Sequence, residues 1–172
     1  MGVKRVAVLG ATTPVGRAII RVLVEDARVE RVIAVGAEES PGWPPREPRE
    51  IGERLRYVRT DLTRSRSVRE LLFGPVRDDG IEAIVHAAQH RSAVDVGRRV
   101  YALNVEATRE ILRLCEHHPT VRRFVLRSWG EVYRVRAGVP SLLDEAEPLD
   151  LAVEAPQWVR DRAEADLAAC AC

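Results

Sequence analysis

The sequence predicts an α/β protein built on a doubly wound, mostly parallel sheet. Three observations predict it: short runs that are apolar throughout, helical patterns between them, and a glycine turn straight after the first run. That run, Val6-Ala-Val-Leu9, ends at Gly10, and an apolar-periodic segment begins by Pro14. Strands without polar alternation belong in sheets covered on both faces. Right-handed crossovers between them give the strand order 3-2-1-4-5.

The strands are expected over 5–9, 31–35, 55–58, 81–86 and 123–127, and the helices over 14–26, 65–73, 98–117 and 156–171. Thr13 before Pro14 is a favourable helix start, because the hydroxyl accepts from the first turn and proline suits the first helical position. Segment 38–53 holds four prolines and two glycines and reads as a surface loop. A second long connection, 130–155, leads from the fifth strand to the last helix. Loops of that length carry function, cover a site, or are solvated excursions.

A length of 172 residues predicts one domain, 1–172. Lysine and arginine number 27 against 26 acidic residues, interspersed to a net charge of +1, with no basic stripe for nucleic acid. The longest apolar run is too short to cross a bilayer and no targeting segment leads the chain. Three cysteines, Cys115, Cys170 and Cys172, cannot all pair and lack zinc spacing. Cys115 lies on an apolar helical face, a core position. Together these features predict a reduced, cytoplasmic protein.

The motifs that follow one another along the chain resemble the extended or atypical short-chain dehydrogenase/reductases of the NAD-dependent epimerase/dehydratase type. They are Gly10-Ala-Thr-x-x-x-Gly16, Asp61-Leu62 after the third strand, and His86-Ala87-Ala88 after the fourth. Asn104-Val105-Glu106-Ala107-Thr108 and Arg123 to Ser128 follow, with Val132-Tyr133 behind. The resemblance implies a Rossmann-like fold and NAD as cofactor. Gly10, Thr12, Thr13 and Gly16 would then cradle the pyrophosphate, and Asp61 and Leu62 would meet the adenine. Ala87 and Ala88 would line the dinucleotide, and Asn104 would brace the site. Taken singly, Asp61 reads equally well as a turn or helix cap, and Asn104 as a solvated helix residue.

The same resemblance exposes departures. Relatives use a Tyr-x-x-x-Lys pair and a Ser or Thr hydroxyl, and those positions fall on Trp158, Arg162 and Trp129. Ser128 is one residue from the hydroxyl position, and on an extended segment one step reverses the face. An indole N–H donates but cannot accept or ionise near neutrality. The planar guanidinium of Arg162 does not replace a compact ammonium. Tyr133 is expected to pack. The acid that ends the second strand in relatives falls at Gly36 or Ala37; Glu38 and Glu39 lie just past it and either reach the site or belong to the loop that Ser-Pro-Gly begins. No arginine stands there to receive a 2′-phosphate, which makes NADP a poorer fit than NAD. The Thr13 side chain is expected to crowd the pyrophosphate, so NAD binding should be weak, displaced or lost. Trp129 and Trp158 either stack over the nicotinamide position or pack in the core.

Three functions remain open: a non-catalytic binder or sensor of a small nucleotide, an enzyme acting on a nucleotide-sugar-like substrate through atypical residues, and a scaffold. A homodimer through helices 98–117 and 156–171 is implied by the resemblance, and Val100, Leu103, Ala107, Ile111, Leu114 and Cys115 form one apolar stripe. A substrate lobe is absent or truncated, so the chain is expected to be the N-terminal part of a longer protein.

Overall fold

Five parallel strands form one sheet in the order β3-β2-β1-β4-β5: β1 (Arg5–Leu9), β2 (Arg31–Gly36), β3 (Leu55–Arg59), β4 (Ala83–His86) and β5 (Arg123–Leu126). The sequence predicts this order. The computed structural model describes residues 4–42, 54–90, 94–134, 144 and 146–171. Most of the proline-rich loop expected over 38–53, and 135–143 of the second long connection, lie outside the described residues.

The registers show why β1 is apolar throughout. Val8 pairs with Ala34 on one side and Val85 on the other, and Leu9 with Val35 and His86. Alternate side chains therefore enter two separate cores. Ala7, Leu9, Ile33 and Ile84 face α2 (Ser65–Leu71) and α3 (Arg98–Cys115), while Val6, Val8, Val32 and Ala34 face α1 (Pro14–Glu25). A central strand buried on both faces has no solvent side for polar residues.

Helix α3 is continuous through three stretches, Arg98–Tyr101, Ala102–Glu106 and Ala107–Cys115, of which the middle one is a π-turn. The helix expected over 98–117 thus stops earlier, where the His118 N–H bonds the Cys115 carbonyl. Its apolar stripe is spent inside the chain, with Ala107, Ile111 and Leu114 buried in the core beneath the sheet. Cys115 packs beside them, and burial pushes its thiol up to about 12. Helix α4 (Gln157–Cys170) packs on α3.

Helix α2 breaks near the expected residue 73: Gly74, at φ −112° and ψ −106°, is not helical, and the chain kinks there ahead of Pro75 while the fully buried Leu72 and Val76 hold both sides to the core. The strand expected from residue 81 begins at Ala83, since the Ile81 N–H is taken by the Val76 carbonyl in the turn that leaves α2.

His86 ends β4 fully buried against Thr108 of α3 at 3.0 Å. The Thr108 hydroxyl donates to the Asn104 carbonyl, so His86 Nε2 carries the proton and donates to Thr108. Burial alone lowers the imidazole from 6.5 to about 4. The unfolded chain therefore takes up this proton first as pH falls, and stability declines between pH 6.5 and about 4, by at most about 3 kcal/mol. His86→Gln is expected to remove that share of the slope, measured from urea midpoints across the range.

Candidate functional site

The carboxyl ends of β3, β2, β1 and β4 open into one cavity of about 610 Å³. Ligands of open α/β sheets bind at this edge, where the strand order reverses. Its walls come from the turns after the strands, including Gly10, Thr12, Gly36, Asp61 and Ala88, and from the first residues of α3.

Close packing makes the first turn. Gly10 has φ +87°, and a Cβ there would lie 2.6 Å from the Ala88 nitrogen. A Cβ on Gly16 would lie 2.1 Å from the Gly10 carbonyl oxygen. The helix start, the turn and the end of β4 thus meet backbone to backbone, leaving the N-terminus of α1 directed at the cavity. A helix start of this kind binds anions through its N–H groups and dipole. Thr13 serves that start: its hydroxyl accepts from the Gly16 N–H at 3.0 Å and donates to the Gly10 carbonyl at 2.8 Å. The hydroxyl is thus turned into its own turn as a cap, while the residue still lines the cavity.

Beyond the end of β2, Glu38 lies in the bend that follows the strand, and its side chain reaches back. A Cβ on Gly36 would lie 3.1 Å from Glu38 Oε2 and 2.6 Å from the Tyr57 hydroxyl oxygen. The Glu38 carboxylate therefore returns to the place a side chain at 36 would occupy. Two β3 side chains fold the segment back: Tyr57 donates to the Glu38 carbonyl at 2.7 Å, and Arg59 to the Ala37 carbonyl at 3.2 Å. Partial burial raises the Tyr57 phenol, keeping it a donor.

Asp61 caps a turn at the cavity edge. Its carboxylate accepts from the Thr63 hydroxyl and N–H, which fixes the turn after β3, and the residue lines the cavity. The Thr63 hydroxyl holds the carboxyl below its ordinary range, helped by Arg64 and Arg99. Leu62 and Ala88, both buried, complete the lining there, with Ala87 fully buried behind them. Asn104 is fully buried in the π-turn of α3 and accepts from the His90 N–H at 2.8 Å, so it is no solvated helix residue. Sequence reasoning missed Arg99, Gln89 and His90, which also line the cavity. Gln89 is buried, and its amide nitrogen has no partner among the described residues.

Beyond β5 lies a different construction. The Arg127 guanidinium sits 3.6 Å from the centre of the Trp129 ring, and that of Arg162 sits 3.8 Å from it. Arg162 is also 4.7 Å from the Trp158 ring and is 3% exposed. Both indoles are half-buried and flank this buried cation. Trp129 donates from its indole nitrogen to Gln89. The Ser128 hydroxyl donates to Asp166 on α4, whose carboxyl burial raises. Tyr133 forms an isolated antiparallel bridge with Leu149.

A model of the NAD dependent epimerase/dehydratase family matches residues 6–155. The chain belongs to this family. An uncharacterized protein of Mycobacterium tuberculosis is 30% identical over 132 residues, 76% of this chain and 33% of its own length. The same holds for one from Mycobacterium bovis, so the chain spans about a third of the relatives it matches. Among solved structures, a dTDP-glucose 4,6-dehydratase of Bacillus anthracis in complex with NAD superposes with a TM-score of 0.75 at 20% identity, covering 98% of this chain and 50% of that one. A short-chain dehydrogenase/reductase superfamily protein of Agrobacterium tumefaciens with bound NAD gives 0.66 at 25% identity, covering 96% and 44%.

Gly10, Gly16 and the start of α1 fit the diphosphate of the family's dinucleotide, and the positions past β5 hold indole and guanidinium groups. Described residues contain no helix long and apolar enough to cross a membrane. Gly10→Ala should lower stability by about 2–4 kcal/mol, through left-handed strain and contact with Ala88, measured by urea unfolding.

Proposed function

We propose that this chain is the nucleotide-binding domain of an epimerase/dehydratase-like protein, holding the adenosine diphosphate part of NAD without running the Ser/Tyr/Lys hydride-transfer chemistry. One observation carries the reading: the cradle at Gly10 and Gly16 is packed for close ligand approach, while the three relay positions hold a cation flanked by indoles. The diphosphate would lie at the start of α1 within reach of Thr12 and Thr13, and Arg99 adds positive charge on the opposite wall. Asp61 and Leu62 would border the base, and Ala88 would lie against the dinucleotide with Asn104 bracing the loop beneath. Glu38 supplies the carboxylate for the adenosine ribose hydroxyls, a role the resemblance places at the end of β2. The same charge repels a 2′-phosphate, which favours NAD over NADP.

No residue at the relay positions moves a proton in this reading. The Trp129 indole is a donor only, and Arg162 keeps its charge at all accessible pH. The Ser128 hydroxyl is directed at Asp166. Loss of a positioned acid–base group lowers rates by roughly 10²–10⁴. An enzyme with atypical residues has one observation in its favour: His90 Nε2 lies 3.3 Å from Asp95 Oδ2, and both residues line the cavity.

Calorimetry should detect adenine nucleotide binding by the chain. Glu38→Ala should weaken it about tenfold, the loss of one charge-assisted hydrogen bond, and narrow the preference for NAD over NADP. Nucleotide-binding by neither the chain nor any variant would overturn the reading. Hydride transfer assayed with the chain should be undetectable, and turnover lost on His90→Ala would establish the atypical enzyme instead. Combining Trp129→Ser, Trp158→Tyr and Arg162→Lys should produce turnover where the chain itself shows none.

A further inference from the structure

We propose that the stack of Arg127, Trp129, Arg162 and Trp158 closes the nicotinamide half of the cleft, so that the site takes an adenosine diphosphate-type nucleotide in preference to the intact oxidised dinucleotide. This rests on the nucleotide reading above and names the ligand class of that site.

The cavity shows the division. Its lining follows the ends of β3, β2, β1 and β4 and reaches His90; among the described residues, none of the four stack members lines it. A dinucleotide in a doubly wound fold lies across the switch point, one half on each mononucleotide unit. The second half belongs toward the end of β5, and there the chain places Trp129, three residues past Leu126. The stack is joined to the cavity wall at two points. Arg162 Nη2 donates to the His90 carbonyl at 3.3 Å, and the Trp129 indole donates to Gln89.

Chemistry adds to the steric argument. The oxidised nicotinamide ring is a cation, and this end of the cleft already holds the guanidinium groups of Arg127 and Arg162. An incoming pyridinium would displace a 97%-buried cation from its aromatic faces and stand beside like charge. An adenosine diphosphate or its ribose ester meets neither obstacle. It places its negative charge at the helix start and ends before the stack.

The test compares ADP, ADP-ribose and oxidised NAD on the chain by calorimetry, with Trp129→Ser as the opened variant. The expected result is NAD no tighter than ADP-ribose for the chain itself, and a shift of about tenfold toward NAD in Trp129→Ser, with ADP affinity as the check on folding. NAD about tenfold tighter than ADP-ribose on the unaltered chain would overturn this inference alone, even if the variant fails to fold. Binding of none of the three would overturn the nucleotide reading along with it.

Discussion

Where β1 ends, Gly10 bends back against the Ala87–Ala88 peptide that follows β4, while the first turn of α1 closes over the Gly10 carbonyl. No side chain separates these three backbones, and the rest of the site follows from that contact. It sets the start of α1 at the sheet edge, so that N–H groups rather than side chains face a ligand. It also places the turn after β1 next to the turn after β4, across the point where strand order reverses. Gly36 extends the same economy to β2, where the absent side chain leaves room for the Glu38 carboxylate.

From this centre the cleft is electrostatically unlike at its two ends. On the β2 and β3 side, Glu38 and Asp61 line the cavity, the Asp61 carboxylate held by Thr63. On the β5 side, two guanidinium groups lie against aromatic faces. A buried cation needs partners, since burying charge without them is costly. Flanking indoles and a carbonyl acceptor help meet that need for Arg162. The proposed binding function and the proposed ligand preference are two consequences of this one asymmetry.

Most of the frame was legible because its signals are local. A run of apolar residues ending at glycine, followed by threonine, proline and a helical stripe, identifies a strand, turn and capped helix with no reference to distant residues. Asp61, Leu62 and Ala88 line the cavity because they stand immediately after strands whose ends must meet at one edge. The sequence leaves Glu38 open between the site and the loop, because its return depends on Tyr57 and Arg59, two positions on a different strand. For the indoles, nothing near them in the chain announces that Arg162 comes between their faces.

The sequence by itself determined the sheet, its strand order, the glycine cradle and the replacement of the relay residues, because periodicity, turn chemistry and residue type are properties of neighbouring positions. Only the tertiary structure decided what fills each end of the cleft. Arg127 and Arg162 lie 35 residues apart in the chain and Trp129 lies between their guanidinium groups. Which cation meets which ring, and which carboxylate folds back toward the ribose position, depend on the packing of α4 and β3 against the sheet.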